Sequence, residues 1–229
     1  MKGDCGKNSG FFAGKLGWSS QGQYEAEVAK ANQELEPLYA AFNAQTPEQL
    51  AGDPKAMAVG ERLFMNNCAQ CHGSDARGSK GFPNLTDSDW LHGGTTDKIK
   101  ETITKGRIGQ MPPMAAAVGT PEDVRNVSHY VMSLSGSPHD SVKAALGKAK
   151  FGACAACHGV DGAGMQAVGS ANLTDKVWLH GWGEEAITAM INNGKVNQMP
   201  AQEGRLTESQ IHVLTAYVWG FSNKPAATK

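Results

Sequence analysis

The feature that most constrains this chain is a short motif that occurs twice, as Cys68–His72 (CAQCH) and as Cys154–His158 (CAACH). Cys-x-x-Cys-His is the attachment motif of a c-type haem. Its two cysteines lie about one helical turn apart, so both thiols can bond the vinyl-derived carbons on one porphyrin edge, and the adjacent histidine can reach the iron. The motifs predict two covalently bound haem c groups, with one iron each, attached through Cys68, Cys71 and His72 and through Cys154, Cys157 and His158.

Three other interpretations of the motif explain less. A structural zinc site would need two further cysteine or histidine ligands at metal spacing. A thioredoxin-like redox pair would lie in a β-α-β pattern, and none is visible. A disulfide would leave the adjacent histidine unexplained. Two copies, each followed by Met-Pro, favour haem over all three.

The surroundings of the two motifs also repeat, over nearly the whole of residues 55–222. Three further segments recur in the same order: Asn-Leu-Thr-Asp (84–87 and 172–175), Trp-Leu-His-Gly (90–93 and 178–181) and Gln-Met-Pro (110–112 and 198–200). Strand signals are weak throughout. The repeat therefore predicts a mainly α protein built from two tandem class I-type cytochrome c domains.

Helix-start signals place the expected domain boundaries. Asp53-Pro54 and Thr120-Pro121 read as N-caps followed by proline, and Thr207 with Gln210 reads as a capping box. The short linker between the domains implies that they touch or nearly touch. The expected organisation is an N-terminal arm and packing helix (1–52), a first cytochrome domain (53–136), a linker (137–143) and a second cytochrome domain (144–229).

The N-terminal region is expected to hold one helix over residues 23–50, with an apolar stripe that includes Tyr24, Val28 and Leu35. Pro37 should end or kink this helix. Packing on the first haem domain is favoured over an independent partner-binding role.

The second axial ligand of each iron is predicted to be a methionine that precedes proline, Met111 or Met199. A thioether is a soft ligand that favours reduced iron and raises the reduction potential. Met111 lies 39 residues after His72 and Met199 lies 41 after His158, a match that argues against coincidence. Met114 is a rival in the first repeat only.

The remaining histidines are given ordinary roles. His92 and His180 repeat and could in principle replace a methionine ligand, but the Met-Pro sites complete each iron, so we expect surface or haem-adjacent positions beside the tryptophans. His129, His139 and His212 are expected to be surface residues.

Charge and hydropathy narrow the function classes. The formal net charge is −1, which gives no indication of a nucleic acid partner or an anionic membrane surface. No apolar run of about 18 residues is visible, and Met1–Asp4 leads into polar residues rather than a signal sequence. Cys5, the one cysteine outside the motifs, is expected to lie in a loose tail, with a lipid anchor as the less favoured alternative. Attachment of haem c takes place outside the cytoplasm, so the expected compartment is the periplasm.

An iron with two axial ligands has no open position. Such a haem exchanges one electron with little rearrangement and does not readily bind oxygen or peroxide. The chain therefore reads as an electron carrier, not as an enzyme by itself. A dihaem peroxidase or dehydrogenase subunit would require a labile or open iron.

Two segments carry a resemblance to a known family. The arm Gly14–Trp18 (GKLGW) and the segment Gly106–Pro112 (GRIGQMP), together with the tandem repeat, resemble the dihaem subunit III of cbb3-type cytochrome c oxidases. The resemblance covers residues 13–222. It implies that Cys68, Cys71, His72 and Met111 hold one haem and that Cys154, Cys157, His158 and Met199 hold the other.

The resemblance also implies a function and partners. A soluble cytochrome c or the bc1 complex would supply electrons, and the other oxidase subunits would receive them on the periplasmic side of the bacterial inner membrane. Family members carry one or two membrane helices before the arm, and none is visible here, so the chain itself is expected to be soluble. The alternative is a free-standing soluble periplasmic dihaem cytochrome of the c4 kind, which would not need residues 1–50.

Overall fold

A computed structural model of the protein describes residues 18–223. Over this part the chain is mostly helical with one small sheet, which confirms the mainly α prediction. Cys5 and most of the Gly14–Trp18 arm lie outside the described residues. Within 18–223 we find no helix that is long and apolar enough to cross a membrane. The elements in chain order are α1 (Ser20–Asn43), α2 (Pro47–Leu50), α3 (Pro54–Asn67), α4 (Ala69–His72), α5 (Thr96–Lys105), β1 (Arg107–Met111), α6 (Ala115–Val118), α7 (Pro121–Leu134), α8 (Ser141–Lys150), α9 (Gly152–His158), α10 (Glu184–Asn193), β2 (Lys195–Met199) and α11 (Glu208–Asn223).

Helix α1 differs from the single helix predicted for 23–50. It begins after the N-cap Ser19 and runs through Pro37 to Asn43, so the proline does not end it. Residues 47–50 form the separate helix α2, which has its own capping box at Thr46. Residues 18–44 belong to one compact unit of the chain, and residues 45–223 belong to a second. The packing of α1 on the first haem domain stays a prediction.

The last helix of each repeat packs against the other repeat. Helix α7, which ends the first repeat, lies against α8 and α10 of the second repeat. Helix α11, which ends the second repeat, lies against α2, α3 and α5. Two hydrophobic cores result, one containing Val118, Val124, Val127, Val131, Met132, Phe151, Ile187 and Ile191, the other containing Phe64, Ala76, Ile99, Ile103, Ile211, Leu214 and Val218.

The packing units therefore differ from the predicted domains 53–136 and 144–229. We call residues 111–194 the inner unit, because they are continuous in sequence, and residues 46–106 with 199–223 the outer unit, because they come from both ends. The connection between α7 and α8 is only 135–140, and a connection this short favours antiparallel packing of the two helices it joins. That packing takes α7 into the inner unit and leaves α11 to complete the outer one.

A glycine marks the helix crossing in each unit. A Cβ at Gly147 of α8 would lie 2.0 Å from the carbonyl oxygen of Asn126 in α7. A Cβ at Gly60 of α3 would lie 2.7 Å from the Cβ of Tyr217 in α11. Both distances are too short for a Cβ, so each crossing requires glycine at this position.

The chain passes between the units along β1 and β2, which the sequence did not predict. The strands pair antiparallel, with Arg107 opposite Met199, Gly109 opposite Asn197 and Met111 opposite Lys195. The first residue of each strand thus pairs with the last residue of the other, and the middle residues pair with each other. This is the arrangement expected of two repeats related by a local two-fold axis. The two strands bring both predicted methionine ligands to one small sheet.

Candidate haem sites

Each motif histidine is oriented by a backbone carbonyl. His72 Nδ1 lies 3.0 Å from the carbonyl oxygen of Pro83, and His158 Nδ1 lies 2.9 Å from that of Ala171. A carbonyl oxygen can only accept, so Nδ1 carries the proton and Nε2 keeps its lone pair. This is the arrangement by which proteins usually hold a histidine that ligates a metal. It fits an iron bound through Nε2 of each ring.

The repeated Asn-Leu-Thr-Asp segments hold the loops that supply those carbonyls. Asn84 Oδ1 accepts hydrogen bonds from the backbone N–H of Thr86 (2.9 Å) and from its hydroxyl (2.8 Å). Asn172 does the same for Thr174, at 2.9 and 2.7 Å. Each asparagine directly follows the residue whose carbonyl orients the histidine. The segments therefore fix the ligand loop, a role that their recurrence alone did not identify.

Three motif cysteines lie in the short helices α4 and α9, and the fourth, Cys68, is the N-cap of α4. Cys68 and Cys154 are half-buried, and Cys71 and Cys157 are exposed. Burial is the main cause of a raised pKa at Cys68 and Cys154, to about 11 for Cys68. The second cysteine of each motif adds to the shift. Burial therefore disfavours the thiolate form of Cys68 and Cys154. Their placement fits attachment of a porphyrin edge.

The predicted methionine ligands lie in the opposite units from those expected. Met199 packs against the outer core together with Cys68. Met111 packs against the inner core together with Cys154. This packing does not match the pairing of Met111 with His72 and of Met199 with His158 that the resemblance implied, and it favours the exchanged pairing. The reason is that each methionine lies on the strand by which the chain crosses to the other unit.

Two backbone hydrogen bonds fix these crossings. The N–H of Met114 donates to the carbonyl of Ile191 in α10 at 2.8 Å, and the N–H of Gln202 donates to that of Ile103 in α5 at 3.0 Å. Each donor lies three residues after its methionine. Met114 also packs against the inner core, so it stays a rival ligand there by position.

His92 and His180 are half-buried and belong to neither core. A Cβ at Gly169 would lie 2.1 Å from His92 Cε1, so the His92 ring of the outer unit packs against the backbone of the inner unit. His180 Nε2 lies 2.9 Å from Asn197 Nδ2 on β2. Burial lowers the pKa of both histidines, with Arg107 the next cause for His92 and Lys195 the next for His180. Both rings therefore favour the neutral form at neutral pH.

The prediction of a surface position is wrong for two other histidines. His129 is buried, its Nε2 donates to Glu184 at 2.9 Å, and its Nδ1 accepts from the backbone N–H of Asp140 at 3.0 Å. His212 is half-buried and bonds the carbonyl of Gln45 at 3.0 Å. Both rings join segments that are distant in sequence, and no local pattern could indicate this. His139 is exposed, as expected.

The arginine on β1 has an unused donor. Arg107 Nη2 is buried without a hydrogen-bond partner among the described residues. Its Nε donates to Thr102 Oγ1 at 2.9 Å and its Nη1 to Glu101 Oε1 at 3.1 Å. The bond from Arg107 to Glu101, followed by one from Lys98, is the main reason that the pKa of Glu101 falls to about 2.

Comparison with known proteins identifies the family to which this chain belongs. A family profile described as "Cytochrome C oxidase, cbb3-type, subunit III" matches residues 55–131 and 143–218. Its two matches follow the sequence repeat, not the exchanged packing units.

Curated relatives match most of the chain. It is 70% identical to "Cbb3-type cytochrome c oxidase subunit CcoP" of Rubrivivax gelatinosus over 209 residues, which are 91% of this chain and 69% of that protein. It is 40% identical to the FixP subunits of Azorhizobium caulinodans and Bradyrhizobium diazoefficiens, covering 92% and 90% of this chain and 76% of each relative.

Proposed function

Because the chain belongs to the cbb3-type cytochrome c oxidase subunit III family, we propose that it is the electron-transfer subunit of such an oxidase. In this role it carries two haem c groups and passes electrons from a donor cytochrome, or the bc1 complex, to the subunits that reduce oxygen. The chain performs no bond-making chemistry itself. The observation that carries the proposal is that each motif histidine is held through Nδ1, while the first cysteine of its motif packs against the same core as a methionine, Cys68 with Met199 and Cys154 with Met111.

The proposed ligand sets follow the packing units. In the outer unit Cys68, Cys71 and His72 act with Met199, and in the inner unit Cys154, Cys157 and His158 act with Met111. Met111 is preferred to Met114 because it is the repeat counterpart of Met199. When bound, each haem supplies a one-electron couple between ferric and ferrous iron.

The protein residues would keep both irons closed and fixed. The carbonyls of Pro83 and Ala171 hold the histidine rings, so Nε2 stays aimed at one point in both oxidation states. The β1–β2 pairing holds the two methionines at opposite ends of one sheet. A small reorganisation on electron transfer follows, since neither ligand has to move. The two sites, linked by a shared sheet, would form a relay within one compact unit.

The proposed location is the periplasmic side of the bacterial inner membrane. Covalent haem attachment occurs outside the cytoplasm, and the relatives are subunits of a bacterial oxidase. The other oxidase subunits would be the permanent partners and the donor cytochrome a transient one.

The test is reconstitution. Oxidase purified without this subunit is mixed with the haem-loaded chain and a reduced donor cytochrome, and oxygen consumption is measured. Restored consumption with the native chain, and none with a variant in which all four motif cysteines are alanine, supports the proposal. A native chain that shuttles electrons in solution but never restores the oxidase would favour the free-standing c4-like cytochrome. Oxygen or peroxide turnover by the chain alone would contradict the carrier role.

A further inference from the structure

Arg107 lies next to the proposed iron ligand of the outer unit. It is the first residue of β1 and pairs directly with Met199 on β2. Arg107, Gly109 and Met111 share the half-buried face of β1, whereas Ile108 and Gln110 are exposed on the other face. Side chains of directly opposed residues on one sheet face lie about 4.5–5.5 Å apart at Cβ. The arginine therefore borders the outer haem pocket.

The guanidinium is held in one orientation by the helix before it. Nε donates to Thr102 and Nη1 donates to Glu101, and both acceptors are on α5. Two bonds from a planar fork leave the third nitrogen no freedom to turn towards water. Nη2 is nevertheless buried, and no described residue accepts from it. A buried, charged, unpaired donor is unfavourable unless an acceptor arrives from outside the chain.

We propose that Arg107 is a positioning residue whose Nη2 donates a hydrogen bond to a propionate carboxylate of the haem attached at Cys68 and Cys71. This rests on the proposed function, which supplies the haem. The propionates are the only anionic groups of haem c, and guanidinium with carboxylate is a strong, directional pair. The fixed positive charge opposes the extra charge of ferric iron, so it raises the reduction potential of the outer haem.

The inner unit does not repeat this arrangement. The counterpart of Arg107 is Lys195, which pairs with Met111 and is exposed. The counterparts of Glu101 and Thr102 are Ala189 and Met190, which cannot hold a guanidinium fork. The effect of Arg107 is therefore confined to the outer haem, and Lys195 is its matched control.

The experiment compares the haem-loaded full chain with its Arg107→Gln, Arg107→Lys and Lys195→Gln variants. The reduction potential of each haem is titrated, and resonance Raman spectra record the propionate bending band. Arg107→Gln should lower the reduced-to-oxidised ratio of the outer haem about tenfold at a fixed potential, which is 59 mV for one electron, and shift its propionate band. Arg107→Lys, which keeps the charge without the fork, should give a smaller change. Lys195→Gln should leave the outer haem unchanged.

An outer haem whose potential and propionate band are unchanged in Arg107→Gln would overturn the inference. An equal change in the outer haem's potential in Lys195→Gln would also overturn it, because the net charge of the chain would then explain both results. The native chain's restoration of the oxidase is tested separately. A native chain that restores the oxidase while Arg107→Gln keeps native potentials refutes the arginine role alone, whereas a native chain that fails to restore it refutes the proposed function.

Discussion

The inner and outer units are built from the same repeat, yet only one of them is continuous in sequence. The inner unit joins α7 to α8 through residues 135–140 and closes on itself. The outer unit takes α3 to α5 from one end of the chain and α11 from the other. A tandem sequence repeat therefore need not fold as two bodies that follow each other along the chain. A short connection at the repeat boundary is enough to exchange the last helix.

The exchange of helices determines which repeat supplies each proposed iron ligand. Each proposed methionine ligand belongs to the repeat other than the one that supplies its cysteines and histidine. A substitution near a methionine ligand in one repeat should therefore affect the iron whose cysteines and histidine belong to the other repeat.

The helix-crossing glycines should differ in how much they tolerate. Gly147→Ala would force a Cβ against backbone, the carbonyl of Asn126, so we expect a loss of about 3 kcal/mol in the free energy of unfolding. Gly60→Ala meets Tyr217 Cβ at the longer distance of 2.7 Å, so its cost should be smaller, about 2 kcal/mol. Denaturant unfolding of the haem-loaded chain measures both. Equal losses in the free energy of unfolding would show that the two helix crossings are packed equally tightly.

The glycines before the strands should act across the units. Gly106 has φ +69°, and a Cβ there would lie 2.4 Å from the carbonyl oxygen of Met199. Gly194 has φ +65°, and its Cβ would lie 2.5 Å from that of Met111. Each alanine variant should cost about 1–3 kcal/mol. Gly106→Ala should weaken the iron–sulfur charge-transfer band of the outer haem and Gly194→Ala that of the inner haem. The opposite assignment would contradict the exchanged packing.

Loss of a helix cap should weaken the unit into which that helix packs. Thr120 Oγ1 accepts from the N–H of Asp123 at 3.2 Å, and Thr207 Oγ1 accepts from that of Gln210 at 3.2 Å. Replacing either threonine by alanine should cost about 1 kcal/mol. Hydrogen exchange should show faster opening of 141–150 in Thr120→Ala and of 54–67 in Thr207→Ala. Faster opening of 54–67 in Thr120→Ala would support tandem domains instead.

The smallest expected effect is an acid dependence confined to the outer unit. Hydrogen bonds from Arg107 and then Lys98 lower the pKa of Glu101 to about 2, from an ordinary value of 4.5, whereas the inner counterpart is Ala189. A carboxyl whose pKa is lowered by folding adds stability above its unfolded pKa and loses it as the pH falls through the folded value. The stability difference between the native chain and Glu101→Gln should therefore shrink between pH 4.5 and 2. A difference that stays constant over this range would exclude the ion pair as its cause.

Local features of this fold were predictable from the sequence. Asp53, Thr120 and Thr207 mark helix starts because a capping side chain bonds backbone only two or three residues away. The two haem motifs were equally readable, because both cysteines and the histidine come from one helical turn.

The exchange of helices was not predictable in the same way. The repeats carry matching glycines at 60 and 147, so α7 and α11 could each fit either crossing by pattern alone. The choice depends on chain connection, and the only local indication was the shortness of the linker at 137–143. The strands β1 and β2 were missed because each has five residues and gains its pairing from the other repeat.

A chain with one haem can show whether each iron takes its methionine from the other repeat. The variant with Cys68→Ala and Cys71→Ala keeps only the haem on the second motif, and its iron–sulfur charge-transfer band is recorded with a further methionine replaced. We predict that Met111→Ala abolishes the band and that Met199→Ala leaves it intact. A band that survives Met111→Ala and is lost in Met199→Ala would contradict the exchange.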